Sequence, residues 1–220
     1  MLQRCLVTIV LTALAASVAF AQESGSASAQ LKPVAQGEPS LEETMRFIQK
    51  ELNEQGKVST IKTARDTLKN EHLAPLKIVK EVSVVLADPA TCTLMWREVS
   101  DLTDVGVWEN KEEVSLHDVS KLEVLPLRDV YNKNSVKIGH PELVSDTDPA
   151  VYVLAILMPE GKRILGHEHM VPVANPPSDR DTSLPEAHLF FRDEELASRV
   201  AKAMVHAVEL CGGGSQPEPF

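Results

Sequence analysis

Apolar and polar positions recur with two different periods along this chain. Near residue 40 the apolar residues return every three or four positions, which predicts a helix with one buried face. The residues on that face are Leu41, Met45, Ile48 and Leu52. Ser40 and Glu43 have the spacing of a capping box, in which each side chain satisfies a free backbone amide at the helix start. Gly56 then supplies the left-handed residue that commonly ends a helix.

Between residues 57 and 191 the period shortens to two, as in β-strands. The predicted strands are residues 58–62, 78–86, 91–96, 105–108 with 114–116 as one interrupted strand, 122–125, 151–157 and 187–191. The run 151–157 is the most hydrophobic of these and predicts a central strand, buried on both faces. The polar stretches 131–149 and 172–185 are predicted to be loops, and 109–113 an exposed interruption.

A second amphipathic helix is predicted after the last strand. Asp193 is a favourable N-cap, and two acidic residues follow it at the positive end of the helix dipole. The predicted apolar face comprises Leu196, Val200, Ala203, Ala207 and Cys211, flanked by Met204 and Val208. Gly212 is predicted to end the helix, and residues 213–220 to form a disordered tail.

The order of a helix, about seven short antiparallel strands and a closing helix predicts an α+β domain with a bent sheet. This order resembles the PH-like (pleckstrin-homology-like) fold, a bent seven-stranded barrel capped by a C-terminal amphipathic helix. The resemblance covers residues 57–211 and is one of topology. It implies a single PH-like domain over residues 39–212, and architecture rather than activity.

The first 21 residues have the organisation of an export signal. Arg4 forms the positive region, residues 5–18 are apolar, and 19–21 are a small-x-small cleavage site before Gln22. Residues 22–38 are predicted to be a flexible linker. The mature protein is expected to be secreted or periplasmic, without insertion into a membrane.

The excess of acidic over basic residues argues against one class of partner, nucleic acid. The chain has a formal net charge of −10, and loss of Arg4 with the signal makes it −11. An acidic chain is a poor ligand for nucleic acid, whose phosphates require lysine and arginine. We therefore expect no nucleic-acid partner, and the partner class left open is a protein or peptide.

Three segments carry a second resemblance. Residues 88–94 (Asp-Pro-Ala-Thr-Cys-Thr-Leu), 139–141 (Gly-His-Pro) and 194–213, which run through the last helix, are similar to a group of exported bacterial proteins of unknown function. This resemblance implies a bacterial origin and a secreted or periplasmic location. It implies no known activity.

The cysteines predict a disulfide. Cys5 leaves with the signal, so that Cys92 and Cys211 remain in the mature chain. In an oxidising compartment such a pair is expected to be bridged, and the alternative is two buried thiols that act as small hydrophobic groups. The alternation places Cys92 within a strand, on the same face as Leu94 and Trp96.

His167 and His169 are the most metal-like pair in the sequence. In an extended strand both imidazoles point to one side and could bind zinc if a third ligand came from elsewhere. His140 and His188 are available for that role. The competing interpretation is a solvated hairpin end that happens to be rich in histidine.

The sequence contains no motif that indicates catalysis. It has no Gly-x-Ser-x-Gly nucleophile turn, no glycine-rich phosphate loop and no His-Glu-x-x-His metal motif. The hypothesis is therefore a non-catalytic exported binding module without a cofactor, which offers a groove or a sheet edge to a protein or peptide partner. The alternatives are a metal-binding protein or metal-dependent enzyme built on His167 and His169, and a structural protein of the cell envelope.

Overall fold

A computed structural model describes residues 37–214 of the chain. The predicted export signal, the linker up to residue 36 and residues 215–220 of the predicted tail lie outside the described residues. Residues 39–214 form one compact unit.

The described residues contain helices at both ends of the domain and one in the middle. The helices are α1 (Leu41–Glu54), α2 (Leu127–Lys137) and α3 (Glu194–Leu210). The strands are β1 (Lys57–Asp66), β2 (Glu71–His72), β3 (Leu76–Asp88), β4 (Thr93–Leu102), β5 (Gly106–Ser115), β6 (Lys121–Pro126), β7 (Leu143–Asp148), β8 (Tyr152–Leu157), β9 (Ile164–Pro172), β10 (Ser178–Leu184) and β11 (Glu186–Phe191).

The strands form two antiparallel sheets. The larger sheet has the order β10-β9-β5-β4-β3-β1, with β2 and β7 also paired to β1, and the smaller has the order β11-β8-β6. The predicted α+β class, with a helix at each end of the domain, is confirmed. The barrel that the PH-like resemblance implies is not formed, because β6, β8 and β11 pair with one another and leave the ends of the larger sheet unjoined.

Helix α1 follows the prediction closely. The Ser40 backbone amide donates to Glu43 Oε2 at 2.9 Å, and the Glu43 amide donates to Ser40 Oγ at 3.2 Å, which completes the capping box. The helix buries Met45, Ile48 and Leu52. It packs against α3 and β3, so that the apolar face predicted from the sequence forms part of the main core.

Helix α3 begins as predicted, with the Leu196 amide donating to Asp193 Oδ1 at 2.7 Å. Its buried face is rotated slightly from the prediction and consists of Ala197, Val200, Met204, Ala207 and Val208. Leu196 is only partly buried at the margin of the core. Helix α3 packs on both α1 and the smaller sheet.

Gly213 and Gly214, which follow α3, are held in place by backbone hydrogen bonds. The Gly213 amide donates to Val208 O at 2.8 Å, and the Gly214 amide donates to Val119 O at 3.0 Å. A side chain at Gly213 would collide with the carbonyl oxygen of Leu116, so glycine is required there. The prediction of disorder from residue 213 is therefore wrong for these two glycines.

Residues 131–149 do not form the predicted loop, because α2 ends and β7 lies within them. In β7 the usual polarity is reversed: Ser145 and Thr147 are buried, whereas Val144 is exposed. The Ser145 amide donates to Asn132 Oδ1 at 2.7 Å, which ties the strand to α2. Because the buried residues of β7 are polar, the strand lacks the apolar alternation by which a strand is recognised in a sequence.

Two further strand predictions differ from the structure. Residues 109–113 are no interruption, since β5 runs continuously between β4 and β9. Residues 172–185 contain β10, a mostly charged and polar strand that pairs with β9 along its whole length. The prediction of a central strand at 151–157 is confirmed, because β8 lies between β6 and β11.

The main core lies between α1, α3 and the inner faces of both sheets, and a smaller cluster lies on the other side of β8. Leu154 and Ile156 of β8 belong to the main core. Val153 belongs to the second cluster, together with residues of α2 and β11. Among the described residues, none of the helices is long and apolar enough to span a membrane.

Candidate functional site

The outer face of the larger sheet presents the candidate site. Along β4, Leu94, Trp96 and Glu98 are buried, and the residues between them are only partly buried. Because successive side chains of a strand point to opposite faces, Met95 and Arg97 point away from the core. The same register sets the outer face on β5 and β9.

The strand register aligns four side chains in one row across β3, β4, β5 and β9. Leu86 lies opposite Met95, Met95 opposite Glu113, and Glu113 opposite Leu165. Leu86 is 49% exposed and Leu165 is 64% exposed, so the row is open to solvent. With Arg97 and Lys111 of the next row, these residues line a depression of about 380 Å³, which we call the outer groove.

A β-bulge places Leu86 in this row. The pairing of β3 with β4 shifts by one residue between Ser83 and Leu86. Without the shift, Val85 would lie opposite Met95 on the outer face. With it, Val85 turns into the core, where it is buried, and Leu86 turns outward. Bulges commonly re-aim a side chain in this way.

The next row carries the two cations of the outer groove, Arg97 and Lys111. Arg97 Nη2 lies 2.6 Å from Glu109 Oε2, and Lys111 Nζ lies 3.9 Å from Glu109 Oε1. The hydrogen bond from Arg97 lowers the pKa of Glu109 below its usual value. Arg97 Nε is buried and has no hydrogen-bond partner among residues 37–214.

His167 and His169 lie on the same outer face and close to the outer groove. They stand in the middle of β9 rather than at a hairpin end, and both side chains are partly exposed to solvent, as the alternative to a metal site expects. His167 Nδ1 lies 3.1 Å from Asp181 Oδ1, and His169 Nδ1 lies 2.8 Å from Asp179 Oδ1. The hydrogen bond to Asp181 raises the pKa of His167.

The two other histidines that could complete a metal site lie elsewhere. His140 follows α2 and lies 2.9 Å from Glu142, and His188 lies on β11 in the smaller sheet. Within the described part of the chain, no three His, Cys, Asp or Glu side chains converge in a geometry that could hold a metal ion. The observed partners of His167 and His169 are the aspartates of β10.

Beneath the outer groove, the inner face of the same strands carries a buried ionic cluster. Lys80 Nζ lies 2.5 Å from Glu98 Oε1 and donates to Ser100 Oγ at 2.8 Å, and Ser100 donates to Glu98. The ammonium of Lys80 also lies 4.0 Å from the centre of the Phe190 ring. This closed set of contacts compensates the burial of the charges. The sequence feature that could have indicated this cluster is Lys80, a charged residue at an inward position of the β-branched run 78–86.

Glu112 lies on the inner face beside this cluster, directly opposite Trp96. Burial, followed by the nearby charge of Glu98, raises the pKa of Glu112 to about 7, although Lys80 acts in the opposite direction. Glu112 Oε2 and Trp96 Nε1 are both buried without a hydrogen-bond partner in residues 37–214. The carboxyl group is therefore partly protonated near neutral pH.

The predicted disulfide between Cys92 and Cys211 is present, with the Cα atoms 5.9 Å apart. It joins the end of α3 to the turn before β4. Cys92 lies in that turn rather than within the strand, and its φ of 54° falls in the left-handed region. The prediction of a mid-strand cysteine is thus wrong by one residue, although Cys92 does share the core with Leu94 and Trp96.

Comparison with known proteins finds no match: no protein-family model, no curated protein and no solved structure is significantly similar to this chain. The resemblances to PH-like domains and to exported bacterial proteins stay predictions. The function must be argued from the chemistry of the site itself.

Proposed function

We propose that this protein is a non-catalytic binding module whose outer groove takes an extended segment of a partner protein or peptide. The observation that carries the proposal is a row of three apolar side chains across one sheet, Leu86, Met95 and Leu165, of which the two leucines are exposed and Met95 is partly buried. Apolar side chains grouped in this way on an open sheet face are typical of sites of interaction.

The dimensions of the row suit a short extended segment. Four neighbouring strands span about 14 Å at the usual strand spacing, and an extended peptide of about four residues covers the same length. An open row on a sheet face accommodates a chain that runs across it, and it encloses a small molecule poorly. The guanidinium of Arg97, whose side chain is 41% exposed, can donate to a carbonyl oxygen of the bound chain.

The groove is a better candidate than the sheet edge. Strand β10 forms one edge of the larger sheet, and its residues Asp179, Arg180 and Asp181 are exposed and charged. Charged residues on an edge strand oppose the addition of another strand.

We also propose that the protein functions in the periplasm or outside the cell. The disulfide fits a secreted or periplasmic protein, because such compartments are oxidising. We therefore place the partner outside the cytoplasm as well.

Substitution of an exposed leucine in the groove tests the proposal. Leu165→Asp puts a carboxylate where the partner's apolar group would pack, and we expect it to weaken binding at least about tenfold, since a buried leucine contributes roughly 1.5–3 kcal/mol. Peptides are first selected from a displayed random library on the wild-type protein, and their affinities for each variant are then measured by fluorescence polarisation.

The matched control is Leu68→Asp, the same change at a more exposed leucine in the turn between β1 and β2. The control should bind the selected peptides like the wild type, and thermal unfolding should show that both variants are folded. Peptides that bind Leu165→Asp as tightly as the wild type, or the failure of any peptide to be enriched, would refute binding at the outer groove.

A further inference from the structure

Glu113 occupies the centre of the aliphatic row of the outer groove. Its cross-strand neighbours are Met95 on β4 and Leu165 on β9. The side chain is exposed and has no ion-pair or hydrogen-bond partner among residues 37–214. The row therefore combines apolar surface on both sides with one unpaired carboxylate in the middle.

The two cations of the groove do not neutralise this carboxylate. Arg97 and Lys111 lie in the next row, and both pair with Glu109 at 2.6 Å and 3.9 Å. The row of these cations lies midway between the rows of Glu113 and Glu109, about 6.7 Å along the strand from each. Within residues 37–214 both cations form their ion pairs with Glu109. Their charge is directed to a different carboxylate.

Resting on the proposed function, we infer that the bound segment inserts a basic side chain, lysine or arginine, into the outer groove. Such a side chain has an aliphatic stem and a charged end, and it can lay the stem on apolar surface while the end reaches a polar partner. Met95, Leu86 and Leu165 receive the stem, and Glu113 receives the cation.

The charge of the whole protein favours the same class of partner. The net charge is −10, which attracts a basic segment from a distance and raises the rate of encounter. An acidic segment would meet both this field and the unpaired Glu113. The groove thus selects for the long basic side chains over a purely aliphatic one of the same length.

Three labelled peptides of seven residues test the inference. They share flanking alanines and serines and differ at the central position, which is lysine, norleucine or glutamate. Norleucine keeps the stem and lacks the charge. On the wild-type protein at low salt we expect the lysine peptide to bind about threefold more tightly than the norleucine peptide, the magnitude of an exposed ion pair. The glutamate peptide should bind least, and 0.5 M salt should reduce the preference for lysine.

Glu113→Gln should abolish the preference for lysine while leaving the affinity for the norleucine peptide unchanged. The control Glu71→Gln removes an exposed carboxylate from β2 and should leave the preference intact. The affinities are measured by fluorescence polarisation, as above.

The outcomes separate this inference from the proposed function. Equal affinity of the wild type for lysine and norleucine, an unchanged preference in Glu113→Gln, or strongest binding of glutamate overturns the basic specificity, as does a lysine peptide that does not bind at all. In each of these cases the loss of binding by Leu165→Asp still decides whether the groove binds peptides.

Discussion

At the scale of single residues, Glu112 shows how position changes the chemistry of a side chain. It belongs to a run of polar residues that looks solvent-exposed in the sequence, yet its carboxyl group is buried beside Glu98. Its neighbours Lys111 and Glu113 on the same strand point to the outer groove. Alternation along β5 therefore divides one polar run between a surface site and the interior.

The raised pKa of Glu112 predicts a pH-dependent stability. The pKa is about 7 in the folded protein and 4.5 for an unperturbed glutamate. Between these values the folded state holds the proton more firmly than the unfolded state does, so the stabilising contribution is complete below pH 4.5 and is lost as the pH rises through 7. We expect the free energy of unfolding to fall by up to about 3 kcal/mol from this group.

Glu112→Gln removes the titrating group and is the natural comparison. Urea unfolding of the wild type and of Glu112→Gln at pH 5 and pH 8 measures the effect, and the difference between the two proteins isolates it from all other groups. Parallel pH dependence of the two proteins would show that Glu112 titrates normally.

The structural roles predicted for single residues were correct where a local sequence pattern specified them. The capping pair Ser40 and Glu43 and the N-cap Asp193 depend on spacing within one turn of helix. The Lys80–Glu98 contact joins residues 18 positions apart on neighbouring strands, and it follows only from the register of β3 on β4.

At the scale of elements, the disulfide connects α3 to the larger sheet. Cys211 is the C-cap of α3, and Cys92 closes the turn that leads into β4. The helix otherwise contacts α1 and the smaller sheet. The disulfide thus ties the end of α3 to a sheet that the helix contacts little.

Removal of this disulfide should cost a large part of the stability. The bridge closes a segment of 119 residues, for which the chain-entropy account gives up to about 5 kcal/mol. We expect Cys92→Ser with Cys211→Ser to unfold at a lower urea concentration than the oxidised wild type. Thiol titration of the denatured wild type without reductant should find none free.

The reduced wild type is the control for the substitutions themselves, since it lacks the bridge and keeps both cysteines. It should match the double serine variant. Two titratable thiols in the oxidised preparation, or equal stability of the bridged and unbridged proteins, would contradict the prediction.

Two strands that were not predicted from the sequence, β7 and β10, were missed for the same physical reason. Strands β7 and β10 lack the apolar alternation of a half-buried strand, because β7 buries Ser145 and Thr147 and β10 is mostly exposed. They are strands because β1 and β9 provide partners for their backbone groups. The partner of β7 lies far away in the chain, and the partner of β10 is the preceding strand, but in both cases backbone pairing leaves no apolar alternation in the strand itself.

At the scale of the whole molecule, the secreted or periplasmic location is a prediction that can be measured directly. We expect the full chain, when produced in a bacterial host, to lose residues 1–21 during export and to begin at Gln22. Mass spectrometry of the protein recovered from the periplasm or medium gives the mass of the product. An oxidised, exported protein that retains residues 1–21 would contradict the predicted cleavage.

Much of the architecture depends on how the strands are distributed between sheets. The α+β class and the two terminal helices were predictable, whereas the open larger sheet and the separate sheet β11-β8-β6 were not. A sequence pattern indicates that a segment forms a strand. It does not specify which strand becomes its neighbour, and closure into a barrel depends on that choice.

The sequence by itself determined the helices α1 and α3, the central strand β8, the cysteine pair and the acidic charge, because each depends on local spacing or on composition. Only the tertiary structure decided that Leu86, Met95, Glu113 and Leu165 form one row and that Glu112 is buried beneath it. The reason is strand register. Side chains separated by tens of residues meet only after β3, β4, β5 and β9 have paired, and a single bulge in β3 sets the face to which Leu86 belongs.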